Sequence, residues 1–208
     1  MNGIFNADGP IFRVLARIAD LIILSILWTV TSIPIFTIGI STASLHDSIR
    51  KAVMQDRGTI SGAYFHSFKT NFRQATLSFL VLGAADGVLI AECFVTGYLQ
   101  EQGSPIGKLR IVFLLLSVCT AVWIVYAAAY SARFEDPIKK TVLQAGAIAL
   151  THFGKTIPLA IGLAAGIAIV RFFPPAIILV PGLYGRLACP VIEKIFAEFI
   201  PEVDTDHE

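Results

Sequence analysis

Charge is scarce in this chain: Asp, Glu, Lys and Arg make up 15% of its 208 residues, where an ordinary soluble domain carries about 25%. The net charge of +1 leaves no basic field of the kind that nucleic-acid binding needs. Cysteine is scarce too. Cys93, Cys119 and Cys189 lie far apart in apolar stretches and form no CxxC, so neither a disulfide framework nor a zinc site is indicated. They read as small apolar packing residues. The four histidines, His46, His66, His152 and His207, are isolated in different segments. There is no HExxH, no GxSxG and no phosphate-cradling loop. No catalytic, cofactor or metal residue is expected on these grounds, and the chain reads as a non-enzyme.

Apolar runs are abundant. Hydrophobic residues reach 55% and the mean hydropathy is +0.74. The pattern predicts one all-α domain over residues 1–208, a polytopic transmembrane bundle of about six spans. A span of about 30 Å needs about 20 residues at 1.5 Å per residue. The runs fall at about 15–34, 35–50, 75–99, 111–132, 156–173 and 174–192. The first is interrupted by Asp20 and closes on Ser32-Ile33-Pro34. It is too long and too weakly cationic at its start for a signal peptide. The second mixes Thr37, Ser41, Thr42, Ser44, His46 and Asp47 into its apolar residues. It could span or lie on the surface as an amphipathic helix. Ile111 to Ala132 carries no charge at all. The last two runs meet at Phe172-Phe173-Pro174-Pro175, where two prolines force a turn.

Two connecting segments read as interfacial amphipathic helices. In Gly62 to Gln74, Tyr64, Phe65, Phe68 and Phe72 recur at helical spacing. The second has Asp136 as N-cap, Pro137 at its first position and Gly154 at its end.

Lys and Arg set the orientation. Arg50 to Arg73 holds five of them and Arg133 to Lys155 holds four, while Gln100 to Arg110 between them holds only Lys108 and Arg110. The two rich stretches are therefore expected in the cytosol and the Gly103-Ser104-Pro105 loop outside. The acidic tail Glu202 to Glu208 falls in the cytosol. If residues 35–49 span, the N-terminus is cytosolic too, as Arg13 and Arg17 favour; otherwise it is external.

Ionisable residues inside apolar runs are functional candidates by default. Asp86, Glu92, Arg171 and Arg186 are the set here, with Asp86 and Arg186 at similar expected depth and therefore expected to pair. Gly83 with Gly87, and Gly162 with Gly166, are small-xxx-small pairs that let helices approach closely. Packing within the chain is favoured over a dimer seam, and a homo-oligomer stays open. Trp28, Trp123, Tyr126 and Tyr130 could stack on a sugar but read better as packing rings.

The strings Phe5-Asn6-Ala7-Asp8-Gly9-Pro10 and Pro34-Ile35-Phe36-Thr37-Ile38-Gly39 resemble the bacterial YesL-like family of membrane proteins. Phe65-His66-Ser67-Phe68-Lys69-Thr70-Asn71-Phe72-Arg73-Gln74-Ala75-Thr76 is the most distinctive match. Ala132-Arg133-Phe134-Glu135, Lys155-Thr156 and Phe173-Pro174-Pro175 to Pro181-Gly182 follow in order. Asp86 and Glu92 depart from the family pattern. The resemblance implies a multi-pass protein of the bacterial inner membrane, without catalytic activity, accessory to a carbohydrate uptake system of the sugar ABC type. Its docking face would be cytosolic, with Lys69, Asn71, Arg73, Arg133, Glu135, Lys139 and Lys140 as candidates. A small solute transporter using Asp86, Glu92 and Arg186 is the alternative, and a purely structural membrane protein the third.

Overall fold

Lipid offers the backbone no hydrogen-bond partner, so a chain this apolar has to satisfy its amides within helices. The computed structural model, which describes residues 10–55 and 59–199, is accordingly built of eight α-helices. They are α1 (Pro10–Thr31), α2 (Ile38–Ser48), α3 (Ile60–Thr70), α4 (Phe72–Glu101), α5 (Arg110–Ser131), α6 (Ile138–Thr151), α7 (Phe153–Phe172) and α8 (Val180–Phe199).

The expectation of six spans is overturned. Among the described residues three segments are long and apolar enough to cross a membrane: Phe72–Glu101, Pro105–Ser131 and Phe153–Phe172. They present side chains such as Phe94, Leu115 and Ile161 outward, with Phe94 76% exposed. That suits a surface whose solvent is lipid, and the chain is a membrane protein.

The other three expected spans are not among these three. The segment expected at 35–50 is a short turn followed by α2, whose 11 residues reach only about 16 Å. Nine of those residues are buried, Gly39 to Ser41 and Ala43 to Ser48. A helix buried on all sides faces protein, not lipid. Its small residues permit that: Gly39 sits so close to α4 that a Cβ would meet the Ala75 carbonyl at 2.7 Å. Part of its polarity is absorbed locally, Thr42 donating to the Ile38 carbonyl at 2.8 Å and Ser48 to that of Ser44 at 2.7 Å, while Ser44 Oγ and the His46 ring have no partner. The α8 segment carries Arg186, Glu193, Lys194 and Glu198 along its length. Helix α1 is not among the three either.

Polar stitches hold α1, α2 and α3 together. The Thr31 hydroxyl lies 2.6 Å from the Tyr64 hydroxyl and 2.9 Å from that of Ser41. The Trp28 indole donates to Thr42 Oγ1 at 3.1 Å. Helix α8 begins against α1, where the Gly182 amide donates to Ser25 Oγ at 2.8 Å. The α4–α5 connection turns on Gly103, at φ 76°. Its amide reaches the Gln100 carbonyl at 3.0 Å and that of Ser104 reaches Leu99 at 3.0 Å. This is the paired bonding that ends a helix at a left-handed glycine.

The expected cap at Asp136 is not made. Helix α6 starts at Ile138 after an extended Pro137, with no side-chain cap. Gly154 does not end that helix either; α6 stops at Thr151 and Gly154 lies inside α7. The buried core gathers in the half of the bundle nearest the basic connections, around Tyr126, Tyr130, Ile148, Ile192 and Phe196.

Candidate functional site: a charged cluster and polar cavity at the basic end

Helices α2, α4, α5 and α8 converge where the two lysine- and arginine-rich stretches lie. Gln74, at the start of α4, donates through Nε2 to the Phe134 carbonyl at 3.0 Å and to Thr141 Oγ1 at 2.8 Å. One amide thus ties the α3–α4 junction to the α5–α6 connection and brings both basic stretches to one end. The end of α8 joins them through Lys155 and Glu198. Residues Glu202 to Glu208, Arg57 and Phe5 to Gly9 lie outside the described residues.

Two carboxylates, Asp47 buried and Glu193 half-buried, organise the interior of this end. Asp47, its side chain only 1% exposed, receives Arg50 at 2.6 Å and Lys51 at 2.8 Å. These are neighbours one helical turn on, where side chains share a face. Glu193 on α8 receives Arg133 Nη1 on its Oε2 at 2.6 Å. Its Oε1 has no hydrogen-bond partner and faces His46 Nε2 at 3.8 Å and Arg50 Nε at 4.0 Å. Burial raises the Glu193 pKa despite the pull of Arg133 and Arg50.

His46 is 6% exposed, and neither ring nitrogen has a hydrogen-bond partner. Burial, then the Arg50 charge, then Arg133, hold its pKa down to about 4, against the opposing pull of Asp47. It is a neutral imidazole at neutral pH. Cys189, fully buried, points its thiol at the His46 carbonyl at 3.9 Å. Burial pushes that thiol up to about 12, with Glu193 adding to it. Ligand-type atoms of His46, Cys189 and Glu193 all lie within 4.8 Å of one another. From sequence Cys189 reads as a small apolar packing residue and His46 has no role. The only local signal was the Cys189–Glu193 spacing of four, which puts both on one face of a helix; the third member is 143 residues away.

Beside the cluster opens a polar cavity of about 210 Å³, lined by Asp47, Lys51, His66, Asn71, Arg133 and Glu135, among others. Three of the cytosolic candidates therefore converge: Asn71, which also reaches Ser67 Oγ at 3.2 Å, Arg133 and Glu135. Lys69, Arg73 and Lys139 are exposed and enter no ion pair among the described residues. Lys140 is held by Asp136 at 2.8 Å, which also accepts from the Tyr130 hydroxyl at 2.7 Å.

The intramembrane candidates are not gathered. Asp86 is half-buried on α4, with Oδ1 unpartnered and Ser117 of α5 as its polar neighbour. Glu92 and Arg171 are exposed, and Arg186 on α8 lies where its charge acts on Cys189. The expected Asp86–Arg186 pair is not formed, and α4 and α8 are not among the principal packed helix pairs. The four rings with sugar-stacking potential are instead structural ties. Trp123 donates to the Val142 carbonyl at 2.9 Å, Tyr126 meets Thr156 at 3.2 Å, and Tyr130 and Trp28 are bonded as above.

No curated protein and no solved structure matches the chain. A family described as "Protein of unknown function, DUF624" matches residues 21–93. That stretch runs from α1 through α2 and α3 into α4 and contains the Pro34 to Gly39 and Phe65 to Thr76 strings. Over this part of its length the chain is homologous to that family, the one its YesL-like resemblance implies.

Proposed function

We propose that the protein is a non-enzymatic accessory or regulatory component of a bacterial carbohydrate uptake system. It sits in the inner membrane with its basic end in the cytosol and docks a sugar ABC-type transporter there. The single observation that carries this reading is the Gln74 clamp, which assembles exposed Lys69, Arg73 and Lys139 at one end of the bundle. The excess of Lys and Arg at that end supports its cytosolic placement. The uptake partner itself comes from the resemblance, since the matched family carries no stated activity. Solute transport by the chain itself would need Asp86, Glu92 and Arg186 around one path, and they stand apart.

Copurification from native membrane tests the proposal. The permease or ATPase of a sugar importer is expected in stoichiometric amount with the wild type. Lys69→Glu with Arg73→Glu, and separately Lys139→Glu, should each remove the partner and lower sugar uptake several-fold while the protein still accumulates. Lys140 is left intact because its reversal would set a carboxylate against Asp136 and disturb the fold. If both variants keep partner and uptake at wild-type level, the surface has no docking role.

A further inference from the structure

We propose that His46, Cys189 and Glu193 form a binding site for one divalent transition-metal ion of the zinc class. The inference stands apart from the uptake reading. It begins with an anomaly of burial: polar side chains inside a protein are almost always hydrogen-bonded, yet His46 has neither nitrogen satisfied and Glu193 Oε1 has no partner. The two face each other at 3.8 Å. That is too long for a hydrogen bond and close to what a shared ion imposes. Metal–nitrogen, –oxygen and –sulfur bonds of about 2.0–2.3 Å set ligand atoms about 3.3–3.6 Å apart around a tetrahedral centre. Cys189 Sγ completes the triangle, all three ligand atoms lying within 4.8 Å of one another. A shift of about an ångström in these side chains closes it.

The donor chemistry fits zinc. An imidazole, a thiolate and a carboxylate are its usual protein ligands, and three of them leave a fourth position for water. Outer support of the kind such sites use is present on Glu193, while His46 Nδ1 has no protein partner among the described residues. Arg133 holds Glu193 by Oε2 and leaves Oε1 free. Of the cations near the site, Lys51 and Arg50 Nη2 are engaged on Asp47 and Arg133 on Glu193, while Arg50 Nε lies unpartnered 4.0 Å from Glu193 Oε1 and would be displaced from it by the ion. Cys189 and Glu193 project from the same face of α8, so one rigid element presents two of the ligands.

The test uses full-length protein carrying no polyhistidine tag, stripped with chelator in detergent and dialysed against zinc. Elemental analysis is expected to find one zinc per chain, falling at least tenfold in Cys189→Ser and in His46→Gln. Cobalt in place of zinc should give a thiolate-to-metal absorption band that persists in the Cys93→Ser, Cys119→Ser double variant and vanishes in Cys189→Ser. Should either ligand variant fail to fold, X-ray absorption on the zinc-loaded wild type decides, with one sulfur expected at about 2.3 Å. Less than a tenth of an equivalent of zinc in the wild type, a cobalt band that survives Cys189→Ser, or a shell without sulfur would each overturn the site.

Discussion

At the scale of single residues, His46 carries the clearest energetic consequence. Its folded pKa of about 4 lies below the ordinary 6.5, first because of burial and then through Arg50 and Arg133, with Asp47 opposing. Between those two values the unfolded chain holds a proton that the native chain does not, so stability rises with pH across this window. Stability is fully present above about 6.5 and is lost as pH falls toward 4, by on the order of 3 kcal/mol. Glu193, whose pKa is raised, has the opposite sign, since the native state takes up its proton earlier as pH falls. Asp136 and Glu198, whose pKa values are lowered by Lys140 and Lys155, add losses at lower pH. The comparison of wild type with His46→Gln isolates the histidine. Metal-free wild type in detergent should lose melting temperature steeply from pH 6.5 to 4, and His46→Gln should lose markedly less. Parallel curves for the two proteins would remove His46 as the source.

At the scale of helices, the two glycine pairs separate cleanly. On α7, a Cβ at Gly166 would meet Val180 Cγ1 at 3.1 Å and one at Gly162 would meet Tyr184 at 3.5 Å. These glycines seat α7 on α8 within one chain. On α4, Gly83 would meet only Phe79 of its own helix and Gly87 nothing within 4 Å. Gly166→Leu should therefore destabilise by about 1–3 kcal/mol through overpacking, read as a lower melting temperature in detergent. Gly87→Leu should leave melting unchanged. A drop in oligomer mass with Gly87→Leu would instead mark the α4 face as a seam between copies. The pattern of small residues was legible in the sequence; which pair meets a neighbour was not, because that depends on how α7 and α8 rotate about the Pro174-Pro175 turn.

At the scale of the whole molecule, α4 leads from the basic end to Gly103, α5 returns, and α7 leads away again. A cysteine at Gly103 should react with a membrane-impermeant reagent from outside the cell, and one at Lys139 should react only after the membrane is opened. Labelling of Lys139 but not Gly103 in intact cells would invert the orientation. The N-terminus no longer follows from counting, because the count treated residues 35–49 as a span and α2 is an interior helix.

Composition and periodicity were enough to show a helical membrane protein, the apolar runs of α4, α5 and α7 among six expected spans, and the collection of basic residues on two connections. These are local properties: a long apolar run suits lipid, and Lys and Arg collect on the connections outside it. What the chain could not show is what surrounds each segment. Ser41, Ser44, His46 and Asp47 looked like a polar span because a helix enclosed by protein and a helix in lipid both exclude water. Only the packing of α1, α3, α4, α5 and α8 around α2 separates the two. The same packing sets His46 against Cys189 and Glu193 across 143 residues and keeps Asp86 from Arg186. Residue type limits which contacts are possible, and the rotation and crossing of helices decide which of them occur.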